Sequence, residues 1–523
     1  IHITELIERL FEISMQRLER TKNSIRNLMF GIVNKCISIF LPFLIRVIII
    51  NVLGKEYLGL NNLFTSILQV LNLAELGIGS AMVYSMYKPI AEGDGELICA
   101  LLALYKKLYR IIGLIVFAIG FALIPFLSYL IKGGVNDIDY NVLYLIFLVD
   151  TVLSYLLFAY KNSLLIAHQR TDVGSNIGTI IHLLLNFLQV IFLFIFKNYY
   201  AYIIVKPVFT IANNLFVNIA TKRMYPQYKP CGIVSKEKQR EILSRVKALV
   251  GHKVGTTVVA SADSLVISSF LGLGILAIYS NYYYIIYFIV SLTSIFFNGM
   301  LAGIGNSLVV ETNDKNYSLF ENINFILSWL VSWCSTCLLC LLQPFMELWM
   351  GKDMLLSTSS LICMVIYYYS WQFRTTGLYF KDAAGMWQAD FWKPYVSAFF
   401  NIVMNIVLVQ IIGINGVFIS TIVCMFGINF FWETIVLFRI LFMRSPTKYI
   451  CKELLNLLKT IVMCTVTYFM CLALPMQYGF SCIIFRILIC IIFPNIIFIM
   501  SSFKTREFSF AVGKVKQIIQ KRL

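Results

Sequence analysis

Charge is what this sequence has little of. Only 13% of its 523 residues are Asp, Glu, Lys or Arg, against roughly a quarter in soluble domains. With 59% hydrophobic residues and a mean hydropathy of +0.81, too little polar surface remains to cover a soluble globule. Large hydrophilic loops are missing on one side of the apolar runs, where the longest is 132–140. Without such a loop, a membrane polymerase or glycosyltransferase has nowhere to carry its catalytic groups. The Asp137-Ile138-Asp139 triplet there reads as a solvated turn. A phosphate-cradling GxxxxGK[ST] loop is also absent, because Gly54-Lys55, Gly351-Lys352 and Gly513-Lys514 all lack the following Ser or Thr. That excludes ATP hydrolysis by this motif. No cleavage-like site follows a short apolar segment, so no secretory signal is expected.

What is there is a succession of apolar runs from 28 to 501, each near the twenty or so residues a helix needs to cross hydrocarbon. Backbone polar groups in lipid must be satisfied within the segment, so the runs are helices. The expected fold is an all-α polytopic membrane protein with about fourteen transmembrane helices. Its spans fall near 28–52, 57–86, 109–131, 141–166, 174–196, 199–221, 248–271, 273–304, 322–349, 357–380, 394–413, 415–438, 455–475 and 481–501. Residues 1–26 read as an amphipathic segment in the cytoplasmic interface, with Ile3, Leu6, Ile7, Leu10 and Phe11 on one face and Arg9, Arg17 and Arg20 elsewhere. A six-span bundle occupies 27–221. A basic cytoplasmic linker with Pro226 and Pro230 follows at 222–247, and a second six-span bundle at 248–440. Spans 13 and 14 with a basic tail complete 441–523.

The net charge of +17 would point to nucleic acid in a soluble chain. Its placement excludes that partner. Lys55, Lys132, Lys197 and Lys352 are the basic residues of the short loops, and Lys35, Arg46, Lys206 and Arg486 lie within or near the outer ends of spans. The others crowd the termini and the alternate loops, which places both termini in the cytoplasm of a multi-pass inner-membrane protein.

Thirteen cysteines lie mostly inside apolar runs, where Cys behaves as a small hydrophobe. Cys334, Cys337 and Cys340 form a CxxCxxC. With no neighbouring His or further Cys in sequence to complete a ligand set, this reads as small-residue packing. No metal and no cofactor are expected.

The two bundles share landmarks. Leu53-Gly54 and, three residues on, Leu58-Gly59-Leu60 recur as Leu271-Gly272 and Leu276-Ala277-Ile278. Gly77-Ile78-Gly79-Ser80 recurs as Gly303-Ile304-Gly305-Asn306. Six spans separate the copies, so a duplication would make them parallel repeats.

The stretch Lys22-Asn23-Ser24-Ile25-Arg26-Asn27, the span ending in Arg46, the run from Leu53 to Gly59, and Leu76-Gly77-Ile78-Gly79-Ser80-Ala81 resemble the polysaccharide transporter family. These are the O-antigen and capsule flippases of the multidrug/oligosaccharidyl-lipid/polysaccharide superfamily. The resemblance implies a transporter working by alternating access on undecaprenyl-pyrophosphate-linked oligosaccharide, for O-antigen, capsule or exopolysaccharide. A polysaccharide polymerase would be a partner downstream. It also implies that the last two helices stand outside a twelve-helix core. Two alternatives stay open: a flippase for peptidoglycan lipid precursor, and a drug or cation antiporter of the same superfamily.

Ionisable groups inside a bilayer face a cavity or a partner by default. Lys35 and Arg46 stand about three turns apart on one helix. Both can project toward a pyrophosphate, and Arg46 is placed to grip it bidentately. They are the expected substrate-binding cations, unless Arg46 snorkels to an interface or neutralises Asp263. Glu75, Asp263, Asp150, Lys206 and Arg374 are candidates for gating or for coupling to a proton or sodium ion. For Asp150, Lys206, Arg374 and Glu433 the plainer reading is structural pairing. Lys161 reads as a snorkelling lysine and His182 as a locally hydrogen-bonded histidine. The aromatic runs Tyr279–Tyr287 and Tyr367–Trp371 either stack on sugar rings or form interfacial belts.

Overall fold

The computed structural model describes residues 34, 37–38, 40–75, 78–386, 388–474 and 479–520. The amphipathic segment expected at 1–26, the start of the first span and Lys35 lie outside the described residues. Among these the regular structure is helical throughout, without a strand. Eight helices are long and apolar enough to cross a membrane, or ten if each of two bent pairs counts as one crossing. The chain is therefore an all-α multi-pass membrane protein. Length and apolarity alone single out these eight to ten crossings among the described residues, where several of the expected spans are broken or short. The span expected at 57–86 is a helix Lys55–Leu71, a tight turn Asn72–Ala74 and a second helix Ile78–Glu92. The one expected at 109–131 begins as early as Gly95, where Asp94 caps the helix by accepting from the Leu97 N–H at 2.9 Å. It bends by 40° before Ile124–Leu130.

The chain divides into two compact units, 1–257 and 258–523. The division falls within a single helix, Lys236–Val266, so the basic amphipathic stretch after the prolines runs unbroken into the next apolar run. In the first unit Phe64 packs edge-on against Tyr144 and Phe147, with ring centres 5.5 and 5.6 Å apart. In the second unit the helices Thr447–Leu472 and Phe480–Ser502 pack on Asn313–Met350. There Trp329 donates to Asn495 Oδ1 at 2.7 Å and Trp333 to the Cys490 carbonyl at 2.8 Å. The tail is also ordered, as an amphipathic helix Arg506–Gln520. Its Glu507 accepts from Lys452. Burial pushes the Glu507 carboxyl up, but that hydrogen bond and charge outweigh it and hold the group below its ordinary value.

Two landmarks of the duplication repeat as conformation. Gly54 and Gly272 adopt φ of 119° and 96°, each opening the next helix. Each N–H closes onto the carbonyl five residues back, Ile49 and Ile267, at 3.2 and 3.0 Å. A side chain at either φ would be strained, so glycine is required. The fourth expected span is interrupted in both units, as Tyr140–Leu156/Ala159–Ala167 and as Thr358–Gln372/Thr375–Ala383. In the second unit Gly303–Asn306 lies inside the helix Leu273–Val310, while Gly77 of the matching landmark lies outside the described residues.

Gly416 shows how closely two helices approach. A Cβ built there would lie 2.3 Å from the Leu408 carbonyl oxygen, a backbone atom that cannot rotate away. Gly416→Ala is expected to destabilise the second unit by about 1–3 kcal/mol through overpacking. A lower unfolding temperature in detergent is the readout, and an unchanged one contradicts the close approach.

Candidate functional site

The first unit forms an open-sided cavity of about 760 Å³ built from five stretches of chain, within the size range of small-ligand pockets. Glu75 enters it from the break after Lys55–Leu71, where its N–H caps back onto Asn72 and its carbonyl accepts from Ile78. Tyr109 donates to Glu75 Oε1 at 3.4 Å and belongs to a stack with Tyr105 and Tyr155, at 5.9 and 6.2 Å. After Tyr155 the chain turns through Phe158 at a left-handed φ of 57°. The resulting 49° bend brings Asn162 and Ser163 to the cavity wall. Gly174 leaves the room Asn162 needs, since a Cβ there would meet its Oδ1 at 2.5 Å. His182 lines the cavity from Thr171–Phe196, and Asn213 and Asn214 line it from Tyr199–Met224. Asn214 donates to the Ser154 carbonyl at 3.3 Å, while the buried Oδ1 of Asn213 accepts no hydrogen bond.

This lining combines aromatic faces with amides, a hydroxyl, a carboxylate and an imidazole. Amides and hydroxyls both donate and accept, as sugar hydroxyls do, and aromatic rings offer flat apolar faces for pyranose C–H surfaces. Sequence spacing did not reveal the cavity, because its residues come from helices far apart in the chain. Of the expected site residues it gathers Glu75, and with it His182. Arg46, half-buried on Phe40–Val52, is not among the lining residues.

Asp150 and Lys206 form a different pair in the same unit. Lys206 Nζ lies 3.3 Å from Asp150 Oδ2, and Thr210 donates to Asp150 Oδ1 at 2.5 Å. Lys161 is buried and its Nζ donates to the Tyr228 carbonyl, in the 222–247 stretch, at 3.3 Å.

In the second unit Asp263 is 2% exposed and surrounded by neutral groups. Asn405 donates to its Oδ1 at 2.8 Å, and Thr421 stands 3.4 Å from both carboxylate oxygens. Asn401 donates to Thr421 at 2.9 Å and accepts from Asn405 at 3.2 Å; Ser420 donates to Asn405. A carboxylate met by neutral amide and hydroxyl donors from three helices suits the uptake and release of a proton, since the Asn401 and Asn405 oxygens already accept from other groups. Arg374 pairs with Glu433 at 2.5 Å within a buried network that also holds Lys381, Asp390 and Lys393.

The expected aromatic platforms of this unit are largely interior packing, with Tyr287 exposed and Tyr283, Tyr284 and Trp371 half-buried. Tyr279 stacks on Tyr283 at 5.7 Å and Tyr283 on Trp371 at 6.2 Å. Tyr279, Tyr282, Tyr367, Tyr368 and Tyr369 are all buried. These five offer no open face for stacking on a sugar.

Fold, cavity and intramembrane charges together have the character of a helical membrane transporter. The chain belongs to the polysaccharide biosynthesis protein family, whose model matches residues 24–301. No curated protein sequence matches it. Its fold is similar to that of the lipid II flippase MurJ in an inward closed conformation, with 16% identity and a TM-score of 0.68 over 90% of this chain and 98% of that one. It is also similar to an inward-facing multidrug resistance MATE family transporter of the MOP superfamily, with 15% identity and a TM-score of 0.58 over 76% of this chain and 94% of that one. The Vibrio cholerae MATE transporter VcmN in its bent form gives 14% identity and a TM-score of 0.53, over 80% and 97%. At these identities the likeness establishes the fold alone.

Proposed function

We propose that this chain is a flippase that moves undecaprenyl-pyrophosphate-linked oligosaccharide across the bacterial inner membrane, with both termini in the cytoplasm. The cavity of the first unit carries this reading. Its Tyr109 and Tyr155 faces, Asn162, Asn213 and Asn214 amides and Glu75 carboxylate have the chemistry that recognises a glycan. Family membership points the same way. Arg46 holds the pyrophosphate, helped by Lys35, and the polyprenyl tail stays in lipid while the protein alternates access. Asp263, with Asn405 and Thr421, takes the coupling proton or sodium ion. The antiporter reading draws on the acidic groups Glu75 and Asp263; a broad drug site, however, would not need so many paired donors and acceptors in one cavity.

Deleting the gene in its native host is the test. Loss of one surface polysaccharide, with complete repeat units stranded on undecaprenyl pyrophosphate at the cytoplasmic face, is the expected result. Intact glycan with altered sensitivity to cationic drugs would replace this reading by the antiporter, and failure of the cell wall by the peptidoglycan-precursor flippase. In the complemented deletion strain, Arg46→Ala is expected to lower export about fivefold at normal protein level, the equivalent of about 1 kcal/mol for one guanidinium–phosphate contact open to water. Full export from both Arg46→Ala and Lys35→Ala would remove the pyrophosphate assignment.

A further inference from the structure

The CxxCxxC run finds partners in the fold that the sequence could not supply. Cys340 comes from helix Asn313–Met350, Cys471 from Thr447–Leu472 and Cys490 from Phe480–Ser502. All three are at most 1% exposed, and their sulfurs lie within 4.8 Å of one another. Cys337, one turn before Cys340, packs against the trio. Buried thiols are often no more than small apolar residues, so the cluster alone decides little.

Arg486 supplies the second observation. It stands one turn before Cys490 on the same helix and is 7% exposed. Its Nη1 donates to the Cys340 carbonyl at 3.1 Å, while its Nε–H has no acceptor. No carboxylate pairs with it among the described residues. A guanidinium held inside a membrane protein needs a counter-charge, and the acidic groups closest to hand are the three thiols. Arg is a poor choice for packing alone in such a place.

We propose that Cys340, Cys471 and Cys490 bind one thiophilic d10 cation of the zinc class, with Cys337 placed to approach the open fourth position and Arg486 as the counter-charge. Three S–H protons leave to solvent as three metal–sulfur bonds form. Three thiolates around a divalent ion leave one negative charge, which the Arg486 guanidinium balances, so the buried site is neutral overall. The geometry is close to what such an ion requires. A zinc–sulfur bond of about 2.3 Å in tetrahedral geometry sets the sulfurs about 3.8 Å apart, a contraction of an ångström or less. The site ties the last two helices to Asn313–Met350 and shares no residue with the cavity lining or with the hydrogen-bond partners of Asp263, which makes its role structural.

The test uses the full chain, purified in detergent with its thiols reduced and titrated with zinc and with cadmium. Expected are about one tightly held ion per chain, a cadmium–thiolate charge-transfer band and sulfur neighbours in X-ray absorption of the zinc form. The triple variant Cys340→Ser/Cys471→Ser/Cys490→Ser, if it remains monodisperse, is expected to lose the ion. Arg486→Met is expected to weaken binding by about tenfold or more, the usual cost of losing an outer-shell partner. Wild-type protein that binds no ion, or binds it through nitrogen and oxygen, overturns the proposal without reliance on any variant. So does a folded triple variant that binds as tightly as wild type. Replacing the exposed Cys231 and Cys451 by Ser is expected to leave the stoichiometry unchanged, and loss of the ion there would overturn the assignment to the buried trio.

Discussion

Asp263→Asn is expected to reduce glycan export at least tenfold, or about 1.4 kcal/mol of lost driving interaction, while protein stays in the membrane at close to the wild-type amount. The substitution is isosteric. Asparagine Oδ1 can still accept from Asn405, which donates to Asp263 at 2.8 Å, and the new amide can donate to Thr421. Packing is therefore retained and only the charge is removed. An ionised carboxylate among neutral amides and hydroxyls is costly in a membrane interior, about 2.5 kcal/mol or more. A carboxylate held at 2% exposure is what the proposed coupling role requires, a group that takes up and gives back a proton or cation. Stability and function should move in opposite directions, with Asp263→Asn at least as resistant to heat in detergent as wild type yet transport-defective. Surface glycan in the complemented deletion strain, set against protein level by immunoblot, gives the answer. Wild-type export from the asparagine variant would make Asp263 a packing residue and leave coupling to another group.

What was legible in the sequence follows from how lipid constrains a chain. The hydrocarbon core demands apolar runs of fixed length, so the helices at 171–196, 199–224, 393–412 and 480–502 lie within a few residues of the expected spans. Gly54 and Gly272 were legible as landmarks because only glycine adopts the φ those corners need. The breaks were not. Phe158 takes a left-handed conformation with no Gly or Pro to announce it, and hydropathy runs straight across the bend. Pairings through space were hidden too. Asp150 and Lys206 could each be suspected, but their meeting depends on two helices packing in one register. The cavity drew on residues from 75 to 217, and no spacing rule connects them. The tyrosine runs misled because an aromatic-rich helix face looks the same whether it meets sugar, headgroups or other aromatics.

Asp390→Ala is expected to be the most destabilising single change in the second unit. Asp390 Oδ2 lies 2.5 Å from Lys381 Nζ and 3.0 Å from Lys393 Nζ, and Lys393 and Arg374 both reach Glu433 Oε1. Side-chain exposure is 1% for Lys381 and 0% for Asp390, and does not exceed 13% elsewhere in the network. Three cations share two carboxylates, so the network already carries one positive charge too many. Removing Asp390 leaves three buried cations around a single acid, and breaking a buried pair in this way costs about 3–5 kcal/mol. A loss of that size is expected to lower the unfolding temperature in detergent sharply and to deplete the protein from the membrane. Lys381→Met/Asp390→Leu is expected to recover much of the loss, because it removes both partners and leaves an apolar pair of similar volume. The same network bears on gating. It ties Arg374, at the break between Thr358–Gln372 and Thr375–Ala383, to Lys393 at the start of the next helix and to Glu433 on the one after. If the three helices must separate during transport, the double variant should be stable but altered in export rate. If they move as one body, it should export as wild type does. An Asp390→Ala protein that melts with the wild type would show that solvent reaches these charges and that they do not fasten the helices.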